Sequence, residues 1–295
     1  MIEIKTVPCP ECGHVSGTEV LACPHCGYRL RHEHVRRLGE PIVHSQKPPI
    51  FEPEPELDSG RSLGIPAGAL YLIVGAVLAP LLAVAPILKY MGWFLGSLVH
   101  EMGHCISAWF FGCPAFPSIR LDGHAWATHQ NQIVFLAILT WGALAYFTWR
   151  WRKEKSIAIT LGVLAVLYPL LAFTGAREFF FLVSGHVGEL AFALLCFWRA
   201  LTGGFTSSRA ERGLYAVCGW FLMGRNVWLA GGLLFSDSVR SWYETSGSLG
   251  MKNDYLRLAE DVMGWSLDSV AFFMLALSLS ILPLAYVLAK LTSQD

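Results

Sequence analysis

Charged residues are scarce in this sequence. Only 15% of its 295 residues are Asp, Glu, Lys or Arg, whereas a soluble globular domain carries about 25%. The two signs balance, with 22 basic and 22 acidic residues, so we expect no nucleic acid as a partner. The N-terminal stretch also lacks a basic region followed by an apolar one. We therefore expect no cleavable signal peptide, and insertion into a membrane through the first internal span.

Hydrophobic residues make up 54% of the chain and are concentrated in long runs beyond residue 63. A run of about 20 apolar residues is long enough to cross a bilayer as a helix. We therefore predict an all-α polytopic protein with six to seven spans, an integral, multi-pass membrane protein whose surroundings are the lipid bilayer. The predicted spans are 66–90, 91–112, 131–150, 157–176, 178–201, 212–235 and 266–290.

The polar N-terminal segment carries two CxxC pairs. Each pair presents two thiolates from a tight turn, and two such turns complete a tetrahedral zinc site. The pattern resembles the zinc-ribbon family over roughly residues 7–30, within a predicted domain of residues 1–30, and implies a structural Zn²⁺, with a pair of disulfides as the alternative. The metal could serve only to hold so small a fold together, or the ribbon could dock a protein partner. The four predicted ligands are Cys9, Cys12, Cys23 and Cys26.

A Pro-rich, acidic segment separates this head from the apolar remainder. Its composition over residues 31–63 is typical of a flexible linker, which leaves residues 64–295 as the membrane-embedded domain. Thiolate ligands favour the reducing cytoplasm for the ribbon, and the Lys/Arg bias puts loops 150–155 and 199–212 on the cytoplasmic side. Seven full crossings would separate the two termini, so we expect residues 91–130 to be re-entrant. A ribbon outside the cytoplasm is the alternative.

One apolar run contains the sequence HEMGH. On a helix, His100 and His104 lie one turn apart on the same face, so both imidazoles can reach one metal ion. Glu101 would then lie beside the metal as the general base that activates water. A structural cluster of polar side chains is the alternative. Because each ionisable group at bilayer depth costs about 2.5–3.5 kcal/mol on insertion scales, and a structural pairing needs no such spacing, the pattern favours a zinc site.

The segment HEMGHCISAWFFGCPAFPSIRLDG resembles the site-2-protease-like family of intramembrane zinc metalloproteases, over residues 91–130. The resemblance implies that both histidines bind zinc, that Glu101 is catalytic, and that residues 113–130 form a membrane-associated β-hairpin. The unpaired edge of that hairpin could hold an extended substrate strand. Family members usually take a third ligand from an LDG motif in a later span. Here LDG begins seventeen residues after His104, and we expect its Asp122 to be a turn residue.

The third zinc ligand has several candidates. His186 and Glu189 are three residues apart and share a helix face. We expect His186 to be a ligand and Glu189 to be either a co-ligand or the residue that orients a ligand. A single buried histidine bonded across helices is the alternative. Asp254 and Asp268 are further candidates, although the amphipathic pattern around Asp261 favours a solvated face for the acids of that segment.

Two polar residues lie inside the next apolar run. Arg225 should face the bundle interior and pair with an acid at that depth, and Glu189 is a candidate partner. Arg225 and Asn226 together could instead stabilise the oxyanion that forms when water attacks a peptide carbonyl. The sequence leaves the structural and the catalytic interpretation equally open.

These features predict a zinc metalloendopeptidase that cuts peptide bonds in or near transmembrane segments of membrane-protein substrates. Two Zn²⁺ ions are expected, one catalytic in the membrane domain and one structural in the ribbon. Burial in the membrane implies substrate helices that unwind readily, rich in glycine. The alternative is a non-catalytic membrane scaffold or transporter whose polar cluster binds an ion or pairs structurally. Glu101 distinguishes the two, because only the hydrolase needs a general base there.

Overall fold

A computed structural model describes the protein over residues 6–9, 11–17, 25–26, 67–121, 124–246 and 252–292. The chain divides into two units, Met1–Glu52 and Pro53–Asp295. The division falls inside the predicted linker, which itself lies outside the described residues.

Two short antiparallel strands, β1 (Thr6–Pro8) and β2 (Val15–Gly17), form the described sheet of the first unit. The first CxxC pair occupies the turn between them. In that turn the Cys9 N–H donates to the His14 carbonyl, and the Gly13 N–H donates to the Cys9 carbonyl, both at 2.8 Å. Gly13 has φ 70°, a backbone conformation that glycine adopts without steric cost. The turn thus has the close backbone path of a metal-binding knuckle.

Helices make up most of the second unit, and every predicted span contains helix. A π-helical turn spans Leu258–Met263. The helices are α1 (Ala67–Leu78), α2 (Leu81–Val84), α3 (Pro86–Phe110), α4 (Val134–Arg150), α5 (Lys155–Ala172), α6 (Ala176–Thr202), α7 (Arg209–Phe235), α8 (Asp237–Thr245), α9 (Asp254–Arg257) and α10 (Leu267–Thr292).

Within the described residues, four helical segments are long and apolar enough to cross a membrane: α1 with α2, α5, α6 and α10. The helix α4 is apolar but has only 17 residues. The helices α3 and α7 are long, with 25 and 27 residues, but they carry the ionisable side chains of the candidate site. The chain therefore has the composition and helix lengths of a membrane protein.

The predicted boundary between the first two spans, at residue 90, is wrong by several residues. The break lies at Ala85, which is extended with ψ 130°, and α3 begins at Pro86. Proline disfavours a helical conformation in the residue before it, yet fits the first helical turn because no N–H is needed there. Lys89 and Tyr90 therefore belong to the same helix as the HEMGH sequence.

The predicted β-hairpin is confirmed. Strands β3 (Ala115–Ile119) and β4 (Ala125–His129) pair antiparallel within the predicted segment. The helix before them ends because Gly112 takes φ 75°, and a Cβ there would lie 2.6 Å from the Ala137 backbone nitrogen. The Trp109 indole N–H donates to the Ala115 carbonyl at 2.6 Å and ties the hairpin to α3. A two-stranded sheet leaves each strand with one unpaired edge.

Glycines let α3 and α6 cross with their backbones in contact. A Cβ at Gly188 would lie 2.9 Å from the Gly103 Cα, and a Cβ at Gly103 would collide with the Ser184 carbonyl. Such small residues are typical of helix contacts within membranes. Because the two helices cross so closely, the face of α3 that carries the histidines packs directly against α6.

Candidate metal centre and cavity

The HEMGH sequence lies on the face of α3 that packs against α6. His100 and His104 are half-buried, and Glu101 is buried with 6% of its surface exposed. The two Nε2 atoms are 3.1 Å apart. The helical spacing thus brings both imidazole rings to one point, as predicted from the sequence.

Asp254 completes a group of three at this point. Its Oδ2 atom lies 3.1 Å from the Nε2 atom of His100 and 3.1 Å from that of His104. Asp254 is the first residue of α9, in the long connection between α7 and α10. The three atoms therefore form a triangle with equal sides.

The triangle has the size of a zinc site. Tetrahedral zinc with nitrogen and oxygen ligands at about 2.0–2.1 Å separates those ligands by about 3.3 Å, close to the 3.1 Å between each pair of atoms here. Two imidazoles and a carboxylate also match the ligand chemistry of catalytic zinc, which keeps one position open. His100, His104 and Asp254 therefore fit the metal in both size and chemistry.

Each histidine also has a partner for its other ring nitrogen. The His104 Nδ1 atom is 2.5 Å from the Phe181 carbonyl oxygen, and the His100 Nδ1 atom is 3.2 Å from the Glu189 Oε1 atom. Carbonyl and carboxylate oxygens only accept, so neutral rings carry their proton on Nδ1 and direct an Nε2 lone pair into the triangle. Three electron-rich atoms then converge, an arrangement that a cation stabilises.

Glu189 is held in a buried polar network behind His100. The Asn226 amide donates to the Glu189 Oε2 atom at 2.5 Å, and the Arg225 guanidinium lies 3.8 Å from its Oε1 atom. The Asn226 Oδ1 atom lies 2.9 Å from the His186 Nδ1 atom. Nitrogen and oxygen atoms of His100, His186 and Glu189 form a second group within 4.8 Å. His186, which was expected to be a zinc ligand, thus belongs to this second group and not to the triangle. Glu189 lies where a residue that orients His100 would lie.

Three other acids on and just after the connection pair with cationic side chains. Asp254, expected on a solvated face, instead lies in the triangle because α9 folds back over the site. Lys252 forms ion pairs with Glu260 and Asp261 at 2.7 and 3.0 Å. Asp268 pairs with Arg240. Asp122 and the predicted ribbon ligand Cys23 lie outside the described residues.

A cavity of about 580 Å³ opens beside the triangle and extends to the hairpin. Glu101 lies in its wall together with the three candidate ligands. Among the described residues, neither Arg225 nor Asn226 lines this cavity, and both contact Glu189 instead. The geometry therefore supports their structural interpretation. Further lining residues come from α3, β4, α6, α8 and α9, among them Ala108, Trp126, Ala127, Arg177, Tyr243 and Arg257.

Gly185 lies against the triangle, a position that was not predicted from the sequence. A Cβ at this residue would lie 2.6 Å from the His100 Nε2 atom and would collide with the His104 Nε2 atom. Only glycine therefore leaves room for two imidazoles and an ion against α6. The signal in the sequence was that Gly185 stands directly before His186 in an apolar helix, with Ser184 and Gly188 as further small residues close by.

Two groups on the connection between α7 and α10 have shifted pKa values. Burial alone would raise the pKa of Asp254, but His100 and His104 rings that carry a proton on Nε2 would donate hydrogen bonds that outweigh burial and hold that pKa well below the usual range. Burial, and then the nearby Asp254 carboxylate, raise the pKa of the Tyr243 phenol. At neutral pH the site therefore presents an ionised carboxylate and a protonated phenol.

The described cysteines of the first unit also converge. Sulfur atoms of Cys9, Cys12 and Cys26 lie within 4.8 Å of one another, and the Cys9 and Cys26 sulfurs are 3.5 Å apart. That distance exceeds the roughly 2.05 Å of a disulfide bond and is near the roughly 3.8 Å between thiolates on tetrahedral zinc. This cluster could therefore bind a metal.

Comparisons with protein-family models, curated proteins and solved structures find no match for this chain. The likeness to site-2-protease-like enzymes therefore rests on residues 91–130. The functional conclusion rests on the geometry around the triangle.

Proposed function

We propose that the protein is an intramembrane zinc metalloprotease of the site-2-protease-like type, which hydrolyses peptide bonds in or near the transmembrane segments of other membrane proteins. The observation that carries the proposal is the triangle of His100, His104 and Asp254, with Glu101 beside it in the wall of a cavity. A scaffold or a transporter would need no buried glutamate next to such a triangle.

The protein's own residues would divide the chemistry among them. His100, His104 and Asp254 would hold the zinc, which when bound polarises a carbonyl group and lowers the pKa of water. Glu101 would take a proton from the attacking water and then deliver it to the nitrogen of the leaving amine. Glu189 and the Phe181 carbonyl would keep the two imidazoles in the tautomer that ligation requires.

The membrane arrangement we propose has six to seven spans. The four apolar segments would be joined in the bilayer by α3 and α7, which carry ionisable side chains of the candidate site and of the network behind it, and by the shorter apolar helix α4. Large apolar side chains that face outward, such as Val166 (75% exposed) and Ile87 (79%), would then contact lipid. The Lys/Arg bias and the thiolates of a zinc ribbon both favour a cytoplasmic N-terminal unit.

The substrate would lie extended between the triangle and the hairpin. The strand β4 contributes Ala125, Trp126 and Ala127 to the cavity wall, and its unpaired edge can add a strand of substrate through backbone hydrogen bonds. A transmembrane helix exposes its peptide bonds only where it unwinds. We therefore expect cleavage at glycine-rich, easily unwound positions.

The experiment that tests this proposal uses the full-length protein in liposomes together with a set of single-span peptides that have glycine-rich centres. Mass spectrometry would detect cleavage by the wild type. Glu101→Gln should keep the fold and the zinc content but lower the rate by at least about 100-fold, because a general base contributes roughly 10²–10⁴ to catalysis. The matched control is Glu154→Gln, an exposed residue in the turn before α5, which should cleave normally. Equal rates for wild type and Glu101→Gln would contradict the proposal.

A further inference from the structure

The helix α8 brings one polar side chain to the candidate site. Tyr243 is the buried residue of that helix, with 5% of its surface exposed, and it lines the same cavity as Glu101 and Asp254. The helix is anchored on α7, because the Arg240 guanidinium donates to the Leu233 carbonyl at 3.0 Å. Tyr243 is thus presented to the cavity by a fixed element.

The residues on either side of Asp254 hold Tyr243, one through its backbone and the other through its phenol. The Asn253 amide donates to the Tyr243 carbonyl at 2.5 Å. The Tyr255 backbone N–H donates to the Tyr243 hydroxyl at 3.1 Å. That second bond occupies an oxygen lone pair and leaves the phenolic O–H as a donor. Because the raised pKa of Tyr243 keeps the phenol protonated at neutral pH, this donor is present under ordinary conditions.

We propose that the Tyr243 phenol is a further catalytic residue, which donates a hydrogen bond to the carbonyl oxygen of the substrate as that oxygen becomes negative. The inference rests on the hydrolytic function proposed above. It replaces the oxyanion role that the sequence suggested for Arg225 and Asn226, which contact Glu189 rather than the cavity.

The step balances without any further reactant. The oxygen of water forms a bond to the carbonyl carbon, the C=O electron pair moves to the carbonyl oxygen, and Glu101 receives the proton from water. When the intermediate collapses, the C–N bond breaks, its electron pair leaves on nitrogen, and Glu101 returns the proton to that nitrogen. Tyr243 keeps its own proton throughout and acts only by donating a hydrogen bond, the role that preorganised donors have in oxyanion holes.

Tyr255 provides a matched control. It is also a buried tyrosine of the same cluster, with its ring centroid 6.0 Å from that of Tyr243. Its hydroxyl has no hydrogen-bond partner among the described residues, and it does not line the described cavity. Tyr255→Phe removes only this unbonded hydroxyl and keeps the backbone N–H that donates to Tyr243, so it makes the same chemical change without removing a donor from the site.

The experiment compares full-length wild type, Tyr243→Phe and Tyr255→Phe with a single-span peptide that the wild type cleaves. For Tyr243→Phe we expect kcat to fall by roughly 10²–10³, the loss typical of one oxyanion donor, with KM and zinc affinity unchanged. A phosphinic analogue of the cleaved segment, which mimics the tetrahedral intermediate, should lose affinity by a similar factor. Tyr255→Phe should match the wild type in all four measurements.

A series of ring-fluorinated tyrosines at position 243 keeps the size of the side chain and its bond from Tyr255. A more acidic phenol is a stronger donor, so the affinity for the phosphinic analogue should rise along the series. This measurement remains decisive if Tyr243→Phe does not fold.

Three kinds of result would overturn the inference. Wild-type kcat and analogue affinity in Tyr243→Phe, or an affinity that stays constant along the fluorinated series, would show that the phenol does not contact the oxyanion. A fall in zinc affinity equal to the fall in kcat would assign Tyr243 to the placement of Asp254 instead. A wild type that binds zinc but cleaves no peptide would overturn the proposed function and this inference together, whereas the first two results leave the proposed function intact.

Discussion

Two carboxylates contact His100 from opposite sides, and their surroundings differ. Glu189, on α6, faces Nδ1 and is almost completely buried, with the Asn226 amide and the Arg225 guanidinium as additional partners. Asp254, on α9, faces Nε2 at the wall of the cavity, where its Oδ2 atom contacts only the two imidazoles among the side chains described.

These surroundings are what we expect for an orienting carboxylate at Glu189 and for a metal ligand at Asp254. The charge of Glu189 is offset by a cation and an amide, so it can remain buried and hold the His100 proton in place. Asp254 faces the Nε2 atoms of His100 and His104. When each ring carries its proton on Nδ1, each Nε2 atom directs a lone pair at Asp254. A bound cation would offset its charge in the same way. Identical chemical groups thus acquire different roles from the residues around them.

The largest effect is expected from filling the space between α6 and the triangle. Gly185→Ala would place a methyl group 2.6 Å from the His100 Nε2 atom, so we expect zinc affinity to fall by more than the roughly 100-fold loss of an orienting partner. Competition with a chelator would measure it. The control is Gly224→Ala on α7, where a Cβ would meet nothing within 4 Å. Equal zinc affinity in Gly185→Ala and wild type would exclude the triangle as the metal site.

A smaller effect should follow from changing the orienting carboxylate. Glu189→Gln keeps the shape of the side chain but removes the charge that holds the His100 proton on Nδ1, so zinc affinity should fall roughly 10–100-fold. The same change at Glu178, an exposed residue of the same helix, should leave zinc affinity unaltered. Complete loss of zinc in Glu189→Gln would instead indicate that Glu189 is itself a ligand.

The smallest effect is expected at Asp268, which the sequence left open as a ligand. Its carboxylate pairs with Arg240 at an exposed site, so Asp268→Asn should leave zinc affinity unchanged. The free energy of unfolding should fall by about 1 kcal/mol or less, as for surface ion pairs. Chelator competition and chemical denaturation would measure the two quantities, and any loss of zinc would contradict the assignment of Asp254 as the third ligand.

The local parts of the site could be predicted from the sequence. The helical spacing of His100 and His104 fixes where their side chains point, whatever the rest of the fold. The Pro and Gly residues after α3 likewise indicated that no helix continues there, whereas the hairpin itself was expected from the resemblance to the site-2-protease-like family. Seven apolar runs contain the described helices of the second unit other than α8 and α9, with Pro86 as the main displaced boundary.

The third member of the triangle could not be predicted in the same way. Asp254 was one of several acids in an amphipathic segment, and nothing in its neighbours marked it. Its position depends on contacts between distant residues, such as the bond from Asn253 to the Tyr243 carbonyl and the bond from Tyr255 to the Tyr243 hydroxyl. These contacts exist only after α8 and α9 have packed over α6. The small residues around Gly185 could indicate a close helix contact, but its place beside the triangle depends on where the rings of another helix lie.

The most direct test of the account is zinc stoichiometry in the full-length protein, compared with Asp254→Ala and His186→Ala. With one ion in the triangle and one at the N-terminal cysteines, we predict two zinc ions per chain for wild type, two for His186→Ala and one for Asp254→Ala. Zinc X-ray absorption should show that the ion left in Asp254→Ala has sulfur ligands. Two ions in Asp254→Ala and one in His186→Ala would contradict the account and make His186 the ligand.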